Sequence, residues 1–193
     1  SGIQSIPFIA AQASQLTVFQ RTPSFSVPNG NVLLSAERVA ELKRDIKKIR
    51  EFCRWSTIGQ PYDWLVQESL AVSPEERHAR LESDWQKGGF EWMFGSYNDL
   101  LSNKEANEFA AEFVREKIRS IVKDPEVARK LSPTGYPIAT KRLPLDNGYF
   151  ETYNRDNVEL VDLRETSIEC IVAHGIKTCE QLHELDVIVF ATG

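Results

Sequence analysis

The sequence predicts an α/β fold interrupted by an all-helical insertion, and three observations lead there. A helix-then-strand pattern opens the 193-residue chain, a long block of capped amphipathic segments follows, and strand patterns fill the last third. The expected boundaries are 1–30 with 134–193 for the α/β part and 31–133 for the helical insertion.

In the first segment Ile3, Ile6, Ile9, Ala10 and Ala13 fall near helical spacing. Leu16-Thr17-Val18-Phe19 then turns β-branched and aromatic, giving a helix followed by a strand. Pro7 is tolerable near the helix start because N–H groups of the first turn have no intrahelical partner. Residues 21–30, with Pro23, Pro28 and Gly30 among serines, show no period and read as a loop. Ser35 can cap a helix in which Val39, Leu42, Ile46, Ile49 and Cys53 form one stripe, with Lys43, Arg44, Lys47 and Lys48 solvated opposite. Ser73-Pro74-Glu75-Glu76 combines a cap, a proline at the first helical position and a glutamate placed for a capping box, and Gly88-Gly89 supplies the stop.

Asn103 begins a third helix with Ala106, Phe109, Ala110, Phe113, Ile118 and Ile121 facing inward, and Asp124-Pro125-Glu126 begins a short fourth. After Pro133 the period changes. Val158-Glu159-Leu160-Val161 alternates, Ile168 to Val172 is largely apolar, and His174-Gly175 marks a turn before Ile176-Lys177-Thr178. Val187-Ile188-Val189-Phe190 reads as a fully buried strand. The aromatic group Trp55, Tyr62, Trp64, Trp85, Phe90, Trp92, Phe94 and Tyr97 is expected to pack the helical part rather than line a channel.

Composition excludes several partners. The formal charge of −5, with bases scattered among acids, offers no field for nucleic acid or anionic membrane. No apolar run approaches the roughly 20 residues needed to span a bilayer, and a cytoplasmic setting is expected. Cys53, Cys170 and Cys179 lack paired spacing and are expected to be reduced, while His78, His174 and His183 stand apart from any metal or nucleophile arrangement and are expected at the surface. The chain opens on Ser1-Gly2-Ile3-Gln4 and stops on Phe190-Ala191-Thr192-Gly193, straight out of a strand-like run, so both ends are expected to be cut through structure.

Ser1-Gly2 before an apolar helix and strand suits the tail of a G-x-G-x-x-G phosphate loop with Gly2 as its third glycine, or simply a turn. About 20 residues beyond such a loop, an acid holds the ribose of NAD, or an Arg accommodates the extra phosphate of NADP. Gln20-Arg21-Thr22-Pro23 contains no acid there, whereas Arg21 offers a bidentate fork and Thr22 a hydroxyl, which favours NADP. Tyr136-Pro137-Ile138-Ala139-Thr140-Lys141-Arg142 sets two cations side by side, fitting either an anionic ligand or a solvated basic turn.

Taken in order, Ser1-Gly2-Ile3-Gln4, Val18-Phe19-Gln20-Arg21-Thr22-Pro23, Thr140-Lys141-Arg142, Tyr153-Asn154-Arg155-Asp156-Asn157-Val158 and Asp186-Val187-Ile188-Val189-Phe190-Ala191-Thr192-Gly193 resemble the type I Baeyer-Villiger monooxygenases. The resemblance implies an incomplete Rossmann-like NADP domain with a helical insertion, embedded beside an FAD domain of the same polypeptide. It also implies a parent enzyme that uses NADPH and O2 on FAD to convert ketones to esters or lactones.

By the same resemblance Arg21, Thr22 and Lys141 match contacts to the 2'-phosphate, and Gly2 matches the pyrophosphate loop. Arg142 matches the catalytic residue that stands near the flavin and stabilises its peroxide. Thr192 and Gly193 match the return towards the flavin domain. The family usually has Gly where this chain has Ala139, and the FAD glycine loop and F-x-G-x-x-x-H fingerprint would lie outside the piece, which alone is expected to be inactive. Two other readings compete. One is another two-dinucleotide flavoprotein, such as an N-hydroxylating monooxygenase; the other is a non-enzymatic helical interaction module.

Overall fold

The computed structural model describes residues 2–56, 59–61 and 67–192. In chain order the elements are α1 (Gly2–Ala10), β1 (Leu16–Gln20), β2 (Val27–Pro28), α2 (Ala36–Trp55), a 3-10 turn (Ser69–Ala71), α3 (Pro74–Lys87), α4 (Glu91–Phe94), α5 (Lys104–Ile121) and α6 (Pro125–Leu131). They continue with β3 (Leu145–Asp146), α7 (Tyr149–Thr152), β4 (Val158–Asp162), β5 (Ile168–Val172), β6 (Gly175–Thr178) and β7 (Leu182–Glu184). The chain forms two compact units, residues 1–26 with 111–193 and residues 27–110, so their boundary falls inside α5.

In the first unit β1 and β4 pair in parallel, from Leu16 opposite Val158 to Gln20 opposite Asp162. Neither strand can reach the other by a hairpin, since parallel neighbours need a crossover, here supplied by everything between them. Two asparagines of the Tyr153 to Val158 segment then close helix ends, where carbonyls have no intrahelical donor. Asn154 Nδ2 donates to the Ile121 carbonyl at the end of α5 (2.8 Å), and its Oδ1 accepts from Lys123 N–H. Gln20 reaches across to the Lys130 carbonyl at 3.0 Å, tying α6 to the end of β1. β5, β6 and β7 form a separate antiparallel meander. Its buried His183 packs edge-on against Phe19 of β1 at 5.0 Å between ring centroids, so this histidine is a core residue and not the surface one expected.

The second unit is built on a buried carboxylate. Asp84 accepts from Arg80, Lys87 and Ser96 at 2.7–2.8 Å, and Trp92 Nε1–H donates to the Leu81 carbonyl. Trp85 and Trp92 pack edge to face with Leu81, Met93, Tyr97 and Leu100 in this core. Gly30 and Gly88 lie so close that a Cβ on Gly88 would come within 2.5 Å of the Gly30 nitrogen, and both have positive φ (62° and 70°). Glycine is required there for contact as well as for conformation.

Four helices were expected between residues 31 and 133, and among the described residues there are five α-helices, because α4 escapes the pattern. It is a single turn whose Phe90 N-cap makes no side-chain hydrogen bond, so no polar residue announces it. The stripe on α2 is also not a packing face within the unit, for no described residue of that helix is buried. Trp55 is exposed and does not join the aromatic core, and Tyr62 and Trp64 lie outside the described residues. The largest correction is at 187–190. These residues form no strand, and Val187, Val189 and Phe190 are 74%, 61% and 73% exposed. Composition specified a doubly covered strand, but pairing also needs neighbours, and no described strand pairs with this one.

Candidate cofactor site

The loop leaving β1 is fixed at successive points, and what it leaves free is informative. Gln20 carbonyl accepts from Leu163 N–H at 2.8 Å, continuing the β1 to β4 ladder by one bond. Pro23 is buried and its carbonyl accepts from the Tyr136 hydroxyl at 2.7 Å. Phe25, also buried, meets the Tyr136 ring edge-on at 5.5 Å. Ser26 donates to Asp146 Oδ2 at 2.8 Å, while Asp146 Oδ1 accepts from Gly148 and Tyr149 N–H. Burial pushes the Asp146 carboxyl above its ordinary value, and these hydrogen bonds oppose that shift. Between these anchors only Arg21 and Thr22 are exposed.

The acid opposite the end of β1 is not available to a ribose. Asp162, opposite Gln20 in the strand register, is buried and gripped by Arg164 through both carboxylate oxygens. That guanidinium holds its carboxyl below the usual range. Arg21 and Thr22 are therefore exposed just past the end of β1, with no carboxylate in their own segment to repel a phosphate. The donor set fits NADP.

Lys141 and Arg142 are both exposed on the returning loop. Lys141 Nζ sits 4.4 Å from the centroid of the Tyr136 ring, so one aromatic side chain touches both the Arg21 loop and the lysine loop. Ala139, two residues earlier, has φ of 68°, the left-handed conformation that glycine adopts freely and alanine does not. At the chain's beginning Gly2 opens α1, and a Cβ there would meet the Ala191 Cβ at 3.3 Å, so the start of the first helix and Ala191 come together. Thr192 is exposed, and Gly193 lies outside the described residues. A separate groove of about 370 Å³ lined by Arg115, Arg119, Lys123 and Arg129 includes none of these positions; its arginines are ion-paired with Glu112 or Glu126. The roles of Tyr136, Asn154 and Asn157 escape sequence reasoning, because each binds a backbone carbonyl that any residue would present.

Among the described residues no group of acids, histidines and cysteines could hold a metal ion, and no helix is long and apolar enough to cross a membrane. All three cysteines are free, with Cys170 and Cys179 exposed.

No family model matches the chain. It is 43% identical, across its whole length, to the 2-oxo-Δ3-4,5,5-trimethylcyclopentenylacetyl-CoA monooxygenase of Pseudomonas putida, of which it covers 35%. It is 43% identical to the phenazine N-monooxygenase PhzNO1 of Lysobacter antibioticus and 39% identical to a Baeyer-Villiger monooxygenase of Pseudooceanicola batsensis, covering 36% and 35% of them. The crystal structure of OTEMO in complex with FAD and NADP superposes on all of this chain with a TM-score of 0.96 at 43% identity, the match taking up 36% of that structure. The chain thus spans about a third of the length of the relatives it matches.

Proposed function

We infer that this chain, homologous over its full length to a segment of the Baeyer-Villiger monooxygenases, is the NADP-binding portion of such an enzyme with its helical insertion. In that reading residues 1–30 and 134–193 make the Rossmann-like coenzyme part and 31–133 the insertion. The parent oxidises ketones to esters or lactones with NADPH and O2 on FAD, in the cytoplasm. FAD, held mainly by segments of the parent outside this chain, supplies the redox chemistry when bound.

The observation that carries the reading is the exposed Arg21-Thr22 pair on a loop pinned at Pro23, Phe25 and Ser26, with the adjacent acid Asp162 already taken by Arg164. The Arg21 fork and the Thr22 hydroxyl bind the 2'-phosphate, joined by the Lys141 ammonium. Gly2 lets the backbone approach the pyrophosphate. Arg142 offers a permanent cation to negative charge formed during oxygen transfer, and Thr192 and Gly193 lead towards the flavin. The test is steady-state kinetics of the full-length enzyme with both coenzymes: a preference for NADPH that collapses on Arg21→Ala supports the site, and indifference to the 2'-phosphate removes it.

A second reading, oxygen transfer to a ring nitrogen, is favoured by the 43% identity to a phenazine N-monooxygenase. It uses the same coenzyme site. Product analysis with a cyclic ketone and with an N-heteroaromatic substrate separates the two.

A further inference from the structure

Tyr136 touches both segments of the coenzyme site just described. Its hydroxyl donates to the Pro23 carbonyl at 2.7 Å, one residue past Thr22, and its ring packs edge-on against Phe25. Above the same ring lies Lys141 Nζ, 4.4 Å from the centroid. The two segments are more than a hundred residues apart in sequence. Burial raises the Tyr136 phenol above its ordinary value, so the hydroxyl remains a donor across the working range.

The nature of the partner matters. An exposed lysine on a four-carbon stem samples many rotamers, and a site needs it placed before the ligand arrives. A carboxylate could place it but would also cancel its charge. An aromatic face places it while leaving the charge available to an anion. Among the described residues no carboxylate forms an ion pair with Lys141, and its ammonium lies over the Tyr136 ring.

We propose that Tyr136 is a positioning residue for coenzyme selectivity: hydrogen-bonded to Pro23 and stacked beneath Lys141, it holds the Arg21-Thr22 loop and the lysine in the one arrangement that accepts a 2'-phosphate. This rests on the reading of Arg21, Thr22 and Lys141 as the phosphate site. Tyr136 touches no reacting atom, so its effect is confined to the recognition of one phosphate. It should therefore separate NADPH from NADH, which a general loss of folding would not do.

The experiment uses the full-length enzyme and compares Tyr136→Phe, Tyr136→Leu, Lys141→Ala and the double variant Tyr136→Leu with Lys141→Ala, each with NADPH and with NADH. Tyr136→Phe should raise KM for NADPH by roughly five- to ten-fold while leaving KM for NADH and the saturated kcat within about two-fold. Tyr136→Leu should approach Lys141→Ala, and the double variant should be little worse than Lys141→Ala alone, because two members of one unit are not additive. The ratio of the two coenzymes is independent of how much enzyme is folded. If Lys141→Ala discriminates but both tyrosine variants shift the coenzymes equally or not at all, the proposal is overturned and the phosphate site stands. If Lys141→Ala itself fails to discriminate, the lysine is not at the phosphate and both readings fall.

Discussion

Asn157 Nδ2 donates to the carbonyl of Ala10, the last residue of α1, at 2.9 Å, and equally to Ala13 three residues on. One residue before β4 thus terminates the helix before β1, and the ladder between those strands begins at the next bond, Leu16 N–H to the Asn157 carbonyl. Helix end and strand register are set by the same residue. Asn157→Ala should cost about 1 to 3 kcal/mol of stability, because two carbonyls, those of Ala10 and Ala13, each lose this donor. Asn157→Asp keeps the shape but loses the donors and should be no better than alanine; thermal melts of both variants check this, and a wild-type melt for the aspartate would show that shape alone matters.

Arg21→Ala in the full-length enzyme should raise KM for NADPH by roughly ten- to hundred-fold with little change for NADH, corresponding to a charge-assisted contact of about 1.5 to 3 kcal/mol. Equal effects on both coenzymes would detach Arg21 from the phosphate.

If Arg142 has the role proposed for it, Arg142→Ala should leave NADPH binding nearly intact and abolish ester formation, since it would remove a cation that serves oxygen transfer and not coenzyme affinity. Consumption of NADPH without ester, accompanied by released hydrogen peroxide, is the expected result. Normal ester yield would return Arg142 to the status of a solvated basic residue.

Ala139→Gly should be neutral or stabilising by up to about 1.5 kcal/mol. Left-handed alanine carries about 1 to 2 kcal/mol of strain, and glycine adds about 0.5 to 1 kcal/mol of unfolded-state entropy. Ala139→Val should destabilise more clearly, as a β-branched residue fits that conformation still less well. A melt in which glycine is worse than alanine would contradict the strain at φ of 68°.

Asp84 gives the second unit an acid-sensitive core. Burial pushes its carboxyl upward, but hydrogen bonds from Lys87, Ser96 and Arg80 outweigh this and hold it below its ordinary value. A carboxylate lowered in the folded state contributes stability that is fully present above its unfolded value near 4 and is lost as pH falls through the lower folded value. Stability, measured by unfolding followed by tryptophan fluorescence, should therefore fall below about pH 4, and Asp84→Asn should flatten that dependence while lowering stability at neutral pH.

What could be read from sequence were the features with a polar residue at a fixed offset. Ser35, Ser73, Asn103 and Asp124 each accept hydrogen bonds from the first turn of the helix they were expected to start. The end of β1, just before Arg21 and Thr22, also falls where the pattern put it. The rest left no such trace. Tyr136 was visible only as part of a string, since its partners are a carbonyl and a cation supplied by the fold. Nothing in the identity of Ala139 announces a positive φ, and residues 187–190 carry the composition of a buried strand without pairing to one. That last exposure, together with Leu33 and Trp55, predicts that the isolated chain binds hydrophobic dyes and self-associates, which dye fluorescence and light scattering would detect.

The parallel pairing of β1 with β4 also has a consequence in time. On the ribosome, β1 emerges more than a hundred residues before the strand that satisfies its edge. At ordinary synthesis rates that delay is on the order of ten seconds, during which the edge is unprotected. The intervening segment includes a compact unit with its own local contacts, which can consolidate while β1 waits. The vulnerable interval for misassembly is thus set by the length of the segment between β1 and β4, and shortening that segment should improve the yield of folded protein at fixed native stability.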